Sequence, residues 1–144
     1  MFVQRNGQSY LFIRRERMTI ESSKNFGSAL LIGVVSIFII AIFTSLILSV
    51  VLQFSSLTEG SINYLVTAIS FVSLFMGGLL AGRKRKENGW LIGLLTGLIF
   101  SFIVYLFQYL GLDTHFNAEQ FIYHACFTLT AMMGGILGVN LAKN

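Results

Sequence analysis

Four apolar runs dominate the chain, and none contains Asp, Glu, Lys or Arg along its length. They occupy residues 25–58, 60–82, 88–112 and 120–142, the last interrupted only by His124 and Cys126. A hydrocarbon core about 30 Å thick is crossed by about 20 residues rising about 1.5 Å each, so every run is long enough to span once. A helix packed on a soluble core keeps one polar face, whereas these runs are apolar all round. A transmembrane strand needs only about 10 residues of alternating character, a poor match to runs this long and uniform. The pattern predicts an all-α, integral membrane four-helix bundle with helices near 27–52, 61–82, 89–110 and 121–142. Proline is absent, so no helix carries a built-in proline kink. The first run has no small-residue cleavage site after it and reads as a retained helix, not a signal peptide.

Charge changes this picture by giving it an orientation. Only 11% of the residues are charged, against about 25% in an ordinary soluble domain. All ten Lys and Arg residues fall on one side of the four spans: Arg5, Arg14, Arg15, Arg17 and Lys24 before the first, Arg83, Lys84, Arg85 and Lys86 between the second and third, and Lys143 after the fourth. The loops around Glu59 and from Asp113 to Glu119 hold none. Basic residues in short loops resist translocation, so both termini and the middle loop are expected in the cytoplasm. A bias of ten against none also argues against dual topology. The expected organisation is an N-terminal segment, residues 1–24, followed by one transmembrane domain, residues 25–144. Met18 would serve equally well as a start, so Met1 to Arg17 reads as an upstream extension or a mobile tail. As part of the protein, "SYLFIRRER" would rest on the membrane surface, with Tyr10 to Ile13 dipping in and the arginines on anionic headgroups. The one cysteine, Cys126, has no partner for an internal disulfide and says nothing about redox compartment.

Small residues recur every four positions, a spacing that places them on nearly one helix face. Gly89, Gly93 and Gly97 form such a strip on the third helix, and Gly78 with Gly82, and Gly77 with Ala81, form two on the second. Gly134, Gly138 and Ala142 form one on the fourth, next to Gly135; the first helix offers Ala29 and Gly33. Glycine costs about 1 kcal/mol in a soluble helix, but in a bilayer it lets backbones approach where no hydrophobic force draws them together. Every strip lies in the cytoplasmic half of its helix. Bulk fills the outer halves instead, as Phe43 and Phe54, Tyr64 and Phe71, Phe102 to Tyr109, and Phe121 to Phe127. A bundle pinched near the cytoplasm and wider outside is expected.

The halves also resemble each other. "LLIGVVS" (Leu30 to Ser36) matches "WLIGLLT" (Trp90 to Thr96), and "MGGLLAG" (Met76 to Gly82) matches "MGGILGV" (Met133 to Val139). The reading is two tandem parallel helical hairpins about an axis along the membrane normal, with Gly77/Ala81 and Gly134/Gly138 turned towards that axis. Matching glycine pairs, here Gly77–Gly78 and Gly134–Gly135, also point formally to a transporter binding site. The plainer reading is a contact surface.

Reactive chemistry is scarce. His124, near the outer end of the fourth span, is the one ionisable candidate of the kind that marks a proton or ion pathway; an interfacial histidine bonded to headgroups, water or a neighbour is the blander account. Asp113, His115 and Glu119 precede it, yet their spacing matches no established zinc pattern. No metal or cofactor is expected. The serines of the first two helices have no inward base, and the hydroxyls from Ser36 to Thr130 are expected to bond back to helix carbonyls or across helices. The run from Arg83 to Lys86 sits in a loop pressed to the membrane, a poor reader of nucleic acid. Its expected partner is anionic lipid headgroups, at about 1 kcal/mol per basic residue.

The block "GGLLAGRKRKENGWLIGLLTG" from Gly77, with "MGGILGVNLAK" from Met133, resembles the YrzE-like family of small four-span bacterial membrane proteins. The likeness covers about Ser22 to Lys143. It implies a bacterial cytoplasmic membrane protein and carries over no catalytic or binding positions. Three functions compete: a non-enzymatic protein acting by glycine-mediated helix association, as a homo-oligomer or an accessory of a membrane complex; a small channel or transporter built from the two hairpins; and a lipid-acting enzyme for which His124 would be essential.

Overall fold

A computed structural model describes residues 2–55, 59–112 and 117–143, with side chains from Gln8 onward and without that of Glu59. Four helices account for nearly all of it: α1 (Phe2–Phe54), α2 (Glu59–Arg85), α3 (Gly89–Leu112) and α4 (Ala118–Lys143). Each is long and apolar enough to cross a membrane. The expected all-α bundle is present. Asp113 and His115 lie outside the described residues.

All four helices run past the boundaries that hydropathy drew, α1 and α2 with the most consequence. α1 starts at Phe2 instead of near 27 and runs for 53 residues, about 80 Å at 1.5 Å per residue. No proline or glycine pair stops it before the apolar run begins, and helical backbone does not require apolar side chains. α2 continues to Arg85, so Arg83, Lys84 and Arg85 form its last turn, where cations complement the negative end of the helix dipole. The loop that follows shrinks to Lys86, Glu87 and Asn88.

That turn is closed by two residues in the left-handed region, Lys86 at φ 63° and Asn88 at φ 48°. The Lys86 amide donates to the Gly82 carbonyl at 2.9 Å, and the Asn88 carbonyl accepts from Leu91 and Ile92 at 3.1 Å. Asparagine tolerates this conformation, but lysine is strained there. Glycine would fit better, at the loss of one positive charge. Lys86→Gly is therefore expected to raise resistance to denaturation by about 1 kcal/mol, measurable as a shifted unfolding midpoint in detergent.

The helices form a diamond. α2 touches all three others and packs most extensively on α4; α3 touches α4, α2 and α1; α1 and α4 do not meet among the described residues. The fully covered side chains all lie towards the basic turn: Ala29 and Ile37 on α1, Leu74 and Ala81 on α2, Ile92 and Thr96 on α3, Ala131 on α4. At the far end Phe43, Phe54, Tyr64, Phe102, Phe107 and Phe121 are exposed. The bundle is tight at the basic end and open at the other.

Glycine explains the tight half. A β-carbon added to Gly78 or Gly93 would land within 3.0 Å of the Ala131 carbonyl oxygen, and one on Gly82 or Gly89 on that of Gly135. In the reverse direction, one on Gly134 or Gly138 would strike the carbonyls of Phe75 or Leu79, and one on Gly135 that of Gly89. One on Gly97 would lie 2.8 Å from Thr128 Cα. Backbone meets backbone along the whole seam, an approach at which Cα–H groups contact carbonyl oxygens.

The twofold relation expected of the hairpins is not what this contact pattern displays. Gly77 and Ala81 face α1, against Ile37 and Gly33, whereas their counterparts Gly134 and Gly138 face α2. α3 packs on Ala131 and Gly135 of α4; of the equivalent positions on α2, Leu74 packs with Ile37 of α1, but Gly78 faces Ala131 of α4 instead. Similar strips have different neighbours because each glycine pair offers two adjacent faces, and the hairpins use different ones.

Candidate functional site

α3 and α4 run antiparallel, a four-residue step up one matching a three- or four-residue step down the other. Gly93 lies beside Ala131 and Met132, and Gly97 beside Thr128. The next step brings Ser101 opposite His124. Ser101 Oγ and His124 Nδ1 are 3.0 Å apart, and the edge of the imidazole meets Phe127 with ring centroids 5.6 Å apart. Further out, Gln108 and Gln120 exchange side-chain amide bonds at 3.3 and 3.5 Å. Gln120 Oε1 also accepts the Asn117 amide at 3.0 Å, the return half of a capping box at the start of α4.

So the seam changes from glycine contact to side-chain hydrogen bonds where the helices diverge. Beside it opens a groove of about 720 Å³ lined by residues that include Leu98, Phe102, Phe121, His124 and Leu129, within the size range of small-molecule pockets. Its wall is almost wholly carbon. Hydropathy missed Ser101 as the partner of His124, although the glycine spacing held the signal: continuing the strip Gly89, Gly93, Gly97 by four residues reaches Ser101.

A serine beside a histidine raises the question of nucleophilic catalysis. Ser101 lies in mid-helix, where the surrounding amides are committed to the helix ladder. A serine hydrolase needs donors aimed at the developing oxyanion, and such a setting offers none from the local backbone. The pair therefore reads as a polar clasp joining two diverging helices. No three His, Cys, Asp or Glu side chains among the described residues could hold a metal ion.

The four basic residues of the turn have different surroundings. Arg83, Lys84 and Lys86 are exposed. Arg85 reaches back to α1, where Nη1 donates to the Ser22 carbonyl at 2.9 Å and the guanidinium lies 4.8 Å from the centre of the Phe26 ring. Arg85 thus pins α1 to the end of α2. Arg85→Gln is expected to cost about 1 kcal/mol through lost cation–π and charge-assisted contacts, and to raise amide hydrogen exchange around Ser22 without altering it around Asn88.

The hydroxyls divide as well. Ser36, Thr67, Ser70, Ser73, Thr96, Thr128 and Thr130 donate to the carbonyl four residues earlier at 2.6–2.8 Å, as expected for hydroxyls in a bilayer.

Residues 26–138 match the family described as protein of unknown function (DUF3792). The chain belongs to this family. It is also 50% identical, over 130 residues, to a Bacillus subtilis (strain 168) protein named "Uncharacterized membrane protein YrzE", covering 90% of this chain and 87% of that one. No solved structure matches. With four candidate spans and a membrane protein as relative, the chain is a multi-pass membrane protein, and the resemblance drawn from its glycine and basic blocks holds. The family match includes every residue of the glycine seam, of the Ser101–His124 clasp and of the basic turn.

Proposed function

We propose that this family member is a non-enzymatic membrane protein that works by helix association, as a homo-oligomer or as an accessory subunit of a larger complex. One observation carries the reading: glycine contacts within the chain fill the tight half, while the carbon-walled groove between α3 and α4 is left open. Glycine-mediated contact thus supplies a rigid core, and association falls to the far half. There the apolar side chains of a neighbouring transmembrane helix fill the groove. The basic end faces the bacterial cytoplasm with both termini, and Arg83, Lys84 and Lys86 meet anionic headgroups. The channel or transporter reading rests on the internal repeat and the paired glycines; Gly77–Gly78 and Gly134–Gly135 are all within reach of neighbouring helices, which favours contact surfaces over a pore lining.

Photo-crosslinkers at Phe102 and Leu129, on the groove rim, test this in native membranes. Protein adducts are expected from both, and lipid adducts alone from Ile42, which is 60% exposed on α1. A strictly monomeric protein in every mild detergent, with lipid adducts only at the rim, refutes the proposal.

A further inference from the structure

We infer that a small cavity among α1, α2 and α3, distinct from the α3–α4 groove, is a water-filled vestibule opening away from the basic turn. The half-open cavity has a volume of about 170 Å³, and its lining includes Thr44 and the exposed Ser45 of α1 with Ser70 and Ser73 of α2. Its floor is shut by Ile37 and Leu74, 1% and 0% exposed, with Phe100 packed against them. Below the floor lie Thr96, which is fully covered, and the close contacts of Gly33 and Gly77.

The hydroxyls decide what fills this space. Ser70 and Ser73 donate to the carbonyls of Val66 and Ile69, which spends their protons and leaves their oxygen lone pairs available. Thr44 and Ser45, like Ser28 and Ser49 elsewhere on α1, have no hydrogen bond among the described residues, and these two line the cavity. Leaving a hydroxyl unpaired in an apolar medium costs roughly 2–7 kcal/mol. A buried water needs a polar, roomy site with about 2–4 partners, and four hydroxyl oxygens around about 170 Å³ satisfy both conditions. Water at Thr44 and Ser45 can accept their protons and donate to Ser70 and Ser73. An acyl chain in the same place would satisfy none of them.

A way in exists. A second groove of about 410 Å³ shares Thr44, Leu48 and Ile69 with the cavity and continues to Leu52 and Ile62, near the far ends of α1 and α2. No formal charge lines either space, so the vestibule takes water and small neutral hydrogen-bonding solutes, not ions. The inference does not depend on the association proposed above.

Cysteine accessibility tests it on the full chain in sided proteoliposomes, with the exposed native thiol removed as Cys126→Ser. Thr44→Cys and Ser70→Cys are each treated with a charged, membrane-impermeant methanethiosulfonate, with the lipid-facing Ile42→Cys as reference. Only a hydrated thiolate reacts quickly, so both are expected to label roughly tenfold or more faster than Ile42→Cys. The label must enter from the side opposite that which modifies Lys86→Cys. Equal or slower labelling than Ile42→Cys overturns the inference, as does reaction only with a lipid-soluble maleimide, which marks an acyl chain as the occupant. Labelling from the Lys86 side overturns the direction of opening. Two positions on separate helices guard against a single misfolded variant, and each must elute with the native profile before labelling.

Discussion

Gly135→Leu is expected to dismantle the core of the bundle. Gly135 is where three helices come within backbone contact of one another. Its carbonyl lies where β-carbons on Gly82 of α2 and Gly89 of α3 would sit, and a β-carbon of its own would reach the Gly89 carbonyl and lie 2.9 Å from Gly93 Cα. Overpacking usually costs about 1–3 kcal/mol because neighbouring side chains shift aside. Here the neighbours are main-chain atoms of two helices, which move only if whole helices separate. The expected loss exceeds about 3 kcal/mol, a large share of a typical total of about 5–15 kcal/mol. Gly135→Ala meets the same carbonyl with its first carbon, so it should already be damaging. Gly60→Leu and Gly111→Leu supply controls, since nothing lies within 4 Å of a β-carbon at either position. Unfolding against detergent denaturant should leave the controls at or above the native midpoint, because leucine is the better helix former, while Gly135→Leu falls far below. A Gly135→Leu midpoint equal to the controls would falsify the claim that this seam holds the protein together.

Much of this geometry was legible in the residues, and the reasons for the rest are physical. Uninterrupted apolar runs define spans because bilayer thickness sets helix length, so the four helices and their order followed directly. Small residues four apart marked the close half because a helix repeats its face at that spacing. Neighbour identity was not encoded the same way. A glycine pair such as Gly77–Gly78 presents two smooth faces, and the residues do not say which faces α1 and which α4; the twofold arrangement read from the internal repeat is not displayed at that point. Helix ends were not legible for a different reason. Hydropathy reports where lipid ends, but the backbone carries helix past it, upstream to Phe2 and downstream to Arg85. The Ser101–His124 clasp was hidden because it depends on the register between two helices. That register becomes calculable only once Gly97 and Thr128 are known to touch.

A different outcome is expected from Gly33→Leu, which should free α1 while α2, α3 and α4 stay together. α1 joins the bundle through α2 and α3 only and has no contact with α4 among the described residues. A β-carbon at Gly33 would lie 2.8 Å from Ala81 Cβ, 2.9 Å from Thr96 Cγ2 and 3.1 Å from the Gly77 carbonyl oxygen. Ala81 Cβ moves only with its helix, so α1 itself must shift; because α1 touches α2 and α3 but not α4 among the described residues, the cost is expected near the usual overpacking range, about 1–3 kcal/mol, and below that of Gly135→Leu. It falls on contacts that only α1 makes, including the Phe38–Phe100 ring pair with centroids 5.8 Å apart and the Arg85 link to Ser22 and Phe26. Spin labels on Ser22→Cys and Lys86→Cys, in the Cys126→Ser background, report the gap between α1 and the turn. Labels on Lys86→Cys and Lys143→Cys report the other side of the diamond. Gly33→Leu should broaden the first distance distribution and leave the second narrow; Gly135→Leu should broaden the second. Broadening of both pairs by Gly33→Leu alone would mean that the four helices separate as one unit, and that α1 is no peripheral helix.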